Sequence, residues 1–227
     1  MNNQIIIIGG GASALMLAAL LPKNSVTIIE NNAKLGAKIL VSGGGKCNIT
    51  NALMGTEYFL GDPNFVKQPL KRFSEKALLR WLERQNLHPV LRKETQYFCK
   101  DSAKELLDIF QKESRKQQVC LNEQVLEVTK RDDTFYVKTK KNTYQAKAVV
   151  VASGGLSFPK LGASNIGYEI AHNFGHTIVN TAPALVGFTV QWKGLRYGWQ
   201  GRQDCTMGRG NEDMPEAVPH RVEPAQQ

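Results

Sequence analysis

The sequence predicts an α/β protein with a parallel core sheet, and three observations carry that prediction. Residues 5–8 are four consecutive isoleucines, residues 9–11 are three glycines, and residues 12–21 are almost all small or apolar. An unbroken β-branched row reads as a strand buried on both faces, the pattern of sheets covered by helices on each side. The apolar run after the glycines reads as a helix that stops before Pro22, which cannot continue it. Residues 26–29, Val-Thr-Ile-Ile, read as a second buried strand and end at Glu30.

Strand, glycine turn and helix together have a chemical consequence. The first backbone N–H groups of a helix have no carbonyl to bond within the helix, and with the helix dipole they favour an anion at that spot. In the pattern G-x-G-x-x-A, Gly9 makes the tight turn, Gly11 lets a pyrophosphate reach the backbone, and Ala14 keeps helix and strand close. Ala12 and Ser13 open the helix beside that anion. Glu30 stands about twenty residues on, where an acid accepts hydrogen bonds from the adenosine ribose hydroxyls. The order of these pieces predicts a Rossmann-like dinucleotide-binding domain.

A second glycine cluster, SGGGKCNITN at residues 42–51, follows too soon to start a new domain. It reads as a wall of the same ligand site, with Gly44, Lys46, Cys47 and Asn48 offering open backbone, a cation and short polar groups, and Lys38 just before them. Helical apolar spacing recurs at 74–87 and 102–118, the second with Ser102 and Glu105 placed as a capping box. Residues 119–121 read as a further core strand. Residues 125–128, 134–139 and 143–146 alternate between charged turns and read as a small antiparallel meander, inserted before a core strand at 148–152. From residue 191 both periodicities fade into Gly, Pro, Arg and Glu, so the reading divides the chain into a domain at 1–190 and an irregular tail at 191–227.

Composition excludes more than it selects. The 227 residues carry 29 Lys and Arg against 20 Asp and Glu, a net charge of +9. The excess is diffuse and interleaved with acids, which favours a solvated basic face over a nucleic-acid site. No segment approaches the ~20 apolar residues of a membrane span, and no basic leader opens the chain. Cys47, Cys99, Cys120 and Cys205 show no C-x-x-C spacing, which suits a reducing compartment and predicts a cytoplasmic protein without zinc. His172 and His176 are i, i+4 neighbours, but Gly175 marks a helix end rather than a metal pair.

The two glycine clusters, together with VVVASGGLSFPKLGASNIGYEIAHNFGHTI at residues 149–178, resemble the bacterial BaiN/YhiN-like flavoproteins, FAD-dependent oxidoreductases of the aminoacetone oxidase-like type. The resemblance runs from residue 4 to about residue 190. It implies that residues 42–51 wrap FAD from pyrophosphate toward the isoalloxazine ring. It also implies that the turn at Ala152, Gly154 and Gly155 passes the cofactor, and that Val125 meets adenine through its backbone. Members of that family continue through a substrate region, so the chain reads as roughly their N-terminal half with an unrelated or frame-altered end, a weak FAD binder as written.

Three functions follow from these readings. The first is an FAD-dependent oxidoreductase acting on a small-molecule substrate, with NAD(P)H a candidate electron donor; FAD is favoured over NAD(P) because the second glycine wrap follows the first motif. The second is a disulfide reductase using Cys47, against which stands Ala52, where a partner cysteine five residues later is expected. The third is a non-catalytic dinucleotide-binding fragment or an RNA-associated flavoprotein. No Ser-His-Asp arrangement or acid/base pair assigns a catalytic residue, and substrate and oligomeric state stay open.

Overall fold

The computed structural model describes residues 3–59, 61–182, 189–192 and 195–198. They fall into two units, Met1–Ala182 and Pro183–Gln227. In the first unit β1 is Asn3–Ile8, α1 Ala12–Leu20, β2 Val26–Ile29 and α2 Ala37–Val41. A 3₁₀ turn at Ser42–Gly45 leads into β3, Asn48–Asn51, followed by α3 Pro63–Arg72 and α4 Glu75–Arg84. Then come β4 Val90–Arg92, β5 Gln96–Phe98, α5 Lys104–Ser114 and β6 Gln118–Cys120. The unit ends with β7 Val125–Arg131, β8 Thr134–Thr139, β9 Thr143–Val151 and α6 Ile166–Asn173.

The core sheet has six strands in the order β6-β2-β1-β9-β8-β7. β1 pairs in parallel with β2, Ile5 opposite Val26 and Ile8 opposite Ile29, and with β9, Ile5 opposite Ala148 and Ile8 opposite Val151. The isoleucine run explains its central place. Side chains alternate between the faces of a strand, so Ile7 enters the cluster of α1 and α5 residues Leu15, Ala18, Leu106 and Phe110. Ile6 and Ile8 enter the opposite cluster with Val128, Val137, Ala146 and Ile170. Ile6 and Ile7 have no exposed surface, and each such burial contributes about 1.5–3 kcal/mol.

The structure departs from the sequence expectation at β9. The expected meander strand at 143–146 and core strand at 148–152 are one nine-residue strand. Its first half pairs antiparallel with β8, Val137 opposite Tyr144, while its second half pairs in parallel with β1. Ala146 lies opposite both Asn3 and Phe135. The meander therefore extends the core sheet, and because the whole strand shares one pleat no break in alternation marks the change of partner.

The expected helix at 74–87 is α4, capped by Ser74, whose hydroxyl accepts from the Ala77 N–H at 3.2 Å. The capping pair at 102 and 105 is present: Glu105 accepts from the Ser102 N–H at 2.8 Å and the Asp101 N–H at 2.7 Å. That helix starts at Lys104 and ends at Ser114, because the chain must turn at 115–117 to enter β6. The exposed basic stretch near Lys67 forms α3, which buries none of its residues. Pro69 stands inside it and reads as a helix breaker in the sequence, and its start is set by Asp62 accepting from the Asn64 N–H at 2.8 Å. α6 ends at Asn173 with Gly175 at φ +82°, so His172 and His176 sit at a helix terminus. Among the described residues no cluster of His, Cys, Asp or Glu could hold a metal ion, and no helix is long and apolar enough to cross a membrane.

The second unit contains the antiparallel pair β10, Thr189–Trp192, and β11, Leu195–Gly198, with Thr189 opposite Gly198. Part of the stretch expected to be irregular is thus a hairpin, since pairing adjacent backbone satisfies N–H and C=O groups without a side-chain period. The remaining residues from 199 on lie outside the described residues.

A single side chain closes the α1–β2 connection. Gln117, 7% exposed, donates through Nε2 toward the carbonyls of Ala18 (3.1 Å), Leu21 (3.3 Å) and Pro22 (2.9 Å). Its Oε1 accepts from the N–H groups of Ser25 (3.2 Å) and Val26 (3.3 Å). Gln117→Leu leaves these buried groups unpaired and is expected to cost about 2–4 kcal/mol in urea unfolding. Gln117→Glu keeps the acceptor for Ser25 and Val26 but sets a carboxylate oxygen against three carbonyls, so it too should destabilise; a Gln117→Glu protein as stable as the unaltered one would deny the Nε2 bonds their part.

Candidate functional site

Three parallel strands, β1, β2 and β9, end at one cleft, where the order of the sheet reverses on either side of β1. Ligands of open α/β sheets bind at such a switch point. The cleft encloses about 870 Å³, within the range of small-molecule sites of roughly 300–1,000 Å³. Its floor is the turn after β1. Gly9 donates its N–H to the Ile29 carbonyl at 2.8 Å and takes φ +102°. A Cβ there would lie 2.6 Å from the Ala152 carbonyl oxygen, so the turn passes β9 at a distance that only glycine permits.

Gly11 is the residue before α1 and provides no side-chain cap. A Cβ on it would meet no protein atom within 4 Å. The space over the first turn, where the N–H groups of Ala12 and Ser13 have no i−4 carbonyl, is therefore open cleft. Glu30, at the end of β2, is 9% exposed. Its Oε2 accepts from the Gly10 N–H at 2.5 Å and its Oε1 from the Asn32 N–H at 2.7 Å. An ionised carboxylate has about four acceptor positions, so two bonds hold it in place and others stay available on the cleft side.

The facing wall is built from residues distant in sequence. Lys38 on α2 donates to the Ser157 carbonyl at 3.0 Å and to its hydroxyl at 3.3 Å. Its Nζ also lies 5.9 Å from the centre of the Phe158 ring. Asn32 donates through Nδ2 to the Leu161 carbonyl at 3.1 Å. These contacts hold the loop after β9, with Ala152, Gly154 and Gly155, along the cleft. In the 3₁₀ turn, Gly43 takes φ +57°, and a Cβ there would lie 2.6 Å from the Asn48 nitrogen. This tight reversal puts Ser42, Cys47 and Asn48 on the wall.

Most residues singled out in the sequence therefore meet in one place. Gly9, Gly11, Ala12, Ser13, Glu30, Lys38, Cys47, Asn48, Ala152, Gly154 and Gly155 all line the cleft. Ala14 has no exposed surface and packs α1 onto β1. Gly44, at φ +66°, shapes the 3₁₀ turn without lining the cleft, and Lys46 also lies outside the lining. Val125 lines a smaller neighbouring cavity of about 280 Å³. Gly9, Glu30, Ser153 and Gly162 border both spaces. Sequence reasoning did not single out Asn32 and Phe73, which join the lining, while Ser42 and Tyr168 fall inside the stretches it read as motifs. Asn32 stands two residues past the acid, so position beside a motif was its one available signal.

Cys47 has a thiol partner, although not where a local motif would place it. It sits at φ +48°, 5% exposed, in the same buried cluster as Cys99, which has no exposed surface. The Cys99 thiol holds the Cys47 thiol below the usual thiol range against the opposing effect of burial, and the Ser42 hydroxyl adds to the lowering. The neighbouring Cys47 thiol and burial push the Cys99 thiol well up.

Residues 3–209 match the model of the HI0933-like protein Rossmann domain. The chain belongs to that family. It is 37% identical over 190 residues to the ribosomal RNA dihydrouridine synthase of Escherichia coli and 35% identical over 196 residues to that of Haemophilus influenzae. It is 33% identical over 196 residues to the 3-dehydro-bile acid delta(4,6)-reductase of Clostridium scindens. These alignments cover 82%, 82% and 83% of this chain and 48%, 49% and 48% of the relatives, so the chain spans about half their length. Among solved structures, the open conformation of a flavocytochrome c3 fumarate reductase shares the fold, with a TM-score of 0.52 at 19% identity over 78% of this chain and 41% of that one. The resemblance to BaiN/YhiN-like flavoproteins drawn from the glycine motifs is thus borne out, and the family match extends past residue 190 to residue 209.

The turn at Gly9 sets a test of stability. Gly9→Ala combines a left-handed φ with a backbone clash, and strain of this kind costs roughly 1–3 kcal/mol. The expected result is a free energy of unfolding lowered by at least about 1 kcal/mol, seen as a lower denaturation midpoint. An unchanged midpoint would mean that the turn is not held against β9.

Proposed function

We propose that this chain is the dinucleotide-binding part of an FAD-dependent reductase acting on a carbon–carbon double bond conjugated to a carbonyl. The observation that carries the cofactor assignment is Glu30, fixed by two backbone N–H groups beside an unobstructed helix N-terminus. An acceptor-only carboxylate suits ribose hydroxyls and repels a 2′-phosphate. Gly11 and the first turn of α1 would hold the pyrophosphate, where the N–H groups and the dipole favour an anion. The smaller cavity beside Val125 suits adenine, and the wall of Ser42, Cys47 and Asn48 leaves room for a flat ring system. When bound, FAD supplies the hydride chemistry; NAD(P)H is the proposed source of electrons.

The reaction class comes from what the named relatives share. Forming dihydrouridine saturates the C5=C6 bond of uracil, which is conjugated to a carbonyl, and a 3-dehydro bile acid with delta(4,6) unsaturation is a conjugated ketone. One hydride acceptor of this type accounts for both kinds of relative. An RNA uracil is the first substrate to test, supported by the two synthase relatives. It differs from the small-molecule substrate that the oxidoreductase reading of the sequence expects, and from the diffuse charge, which favours a solvated face. The catalytic groups that protonate the second carbon are not assigned to residues of this chain.

Purified protein is expected to show flavin absorbance bands, and a colourless protein that takes up NADH but not FAD would refute the cofactor. Glu30→Ala should weaken FAD by about 1.5–3 kcal/mol, the value of hydrogen bonds to a charged group. Gly11→Ala, at an ordinary φ of −83°, should leave stability within roughly 1 kcal/mol and lower FAD affinity, because its methyl occupies the approach to the backbone. Flavin titration by fluorescence measures both variants. For the substrate, reduced protein is mixed without oxygen with uracil-containing ribosomal RNA and, separately, with a conjugated ketone. Flavin reoxidation by neither would end the proposed reaction class.

A further inference from the structure

Cys47 immediately precedes β3 and Cys99 immediately follows β5. The two strands are antiparallel with Asn48 opposite Phe98. The Cys99 N–H donates to the Lys46 carbonyl at 3.0 Å, which ties the segment just before β3 to the one just after β5. Both cysteine side chains belong to the same buried cluster. Each thiol is the largest influence on the acidity of the other. One of them borders the cleft while the other is wholly enclosed, an asymmetry that separates an attacking sulfur from one that can act only afterwards.

We propose that Cys47 and Cys99 form a hydroperoxide-reactive dithiol in the cleft wall, with Cys47 attacking and Cys99 resolving. The Cys47 thiolate attacks one oxygen of hydrogen peroxide, the O–O bond breaks, and hydroxide leaves, giving Cys47 sulfenic acid. The Cys99 sulfur then attacks Cys47 Sγ, its proton joins the departing hydroxyl as water, and the S–S bond forms. In total two thiols and one hydrogen peroxide yield one disulfide and two waters, the protein losing two electrons to the peroxide. The Ser42 hydroxyl and the Cys99 thiol both favour the Cys47 thiolate, and hydrogen peroxide is small enough to reach a side chain at the edge of the cleft. The product would pin the 3₁₀ turn at Ser42–Gly45 to the sheet β3-β5-β4. This site does not depend on the reductase reading, because neither step uses the flavin.

The test treats the whole protein, as purified, with hydrogen peroxide under native conditions, then blocks free thiols, digests and identifies peptides by mass. The expected product is a peptide containing Cys47 joined to one containing Cys99, separated again by dithiothreitol, while Cys120, bonded to the Tyr144 hydroxyl at 3.6 Å, is recovered alkylated. In Cys99→Ser, Cys47 should stop at sulfenic acid and take up dimedone at least ten times more than in the unaltered protein. Cys99→Ala repeats this arm with a different replacement. Recovery of Cys47 as a free thiol, its joining to Cys120 or Cys205 instead, or equal dimedone uptake with and without Cys99 would overturn the proposal. The unaltered protein decides the first two outcomes even where a variant fails to fold.

Discussion

The close passage of the Gly9 turn between β2 and β9 constrains most of this structure. A chain leaving a buried strand must satisfy its backbone groups at once or lose more than burial gains. Here Gly9 bonds the end of β2, the Gly10 carbonyl accepts from the Gly36 N–H at 2.8 Å, and the Gly10 N–H reaches the Glu30 carboxylate. The turn can be tight because the Ala152 carbonyl stands where a Cβ would be. The same tightness aims α1 at the cleft, so the constraint that closes the core also opens the site.

The cleft is made of segments with little reason to meet except the sheet. β1 and β2 bring the floor, β9 brings the loop of Gly154 and Gly155, and β3 brings Asn48 beside Cys47. Long side chains then hold these parts in register: Lys38 fastens the loop at Ser157 and Asn32 fastens it at Leu161. Both bonds end on backbone carbonyls, so they constrain the path of the loop whatever its side chains are. Elsewhere Gln117 does the same for the connection between α1 and β2, a polar group in the core that is kept because all its partners are there.

The chemistry of the site follows from its asymmetry. One end offers N–H groups and cations, including Lys34 and Lys38, and the other a carboxylate that can only accept. A dinucleotide has the matching order, with phosphate between a ribose and a ring. Cys47 borders the same cleft, beside a segment tied to that of Cys99 by a backbone hydrogen bond. Belonging to the HI0933-like family supports a flavin in this arrangement, while the substrate reading draws on relatives about twice as long as this chain.

The amino-acid sequence alone determined the parts whose physics is local. Four isoleucines specify a two-faced strand, glycines specify the turn, and the spacing from Gly9 to Glu30 specifies where an acid must stand, because all three depend on neighbours along the chain. The helix α3 was hidden because Pro69 stands inside it and reads as a helix breaker. The continuity of β9 was hidden because a strand that changes partner from β8 to β1 keeps the same alternation. The pairing of Cys47 was hidden because its partner is across a sheet rather than five residues away. Tertiary structure decided which distant groups share a wall, since hydrogen bonds such as Lys38 to Ser157 and Asn32 to Leu161 depend on strand order and register, and no local pattern of residues encodes those directly.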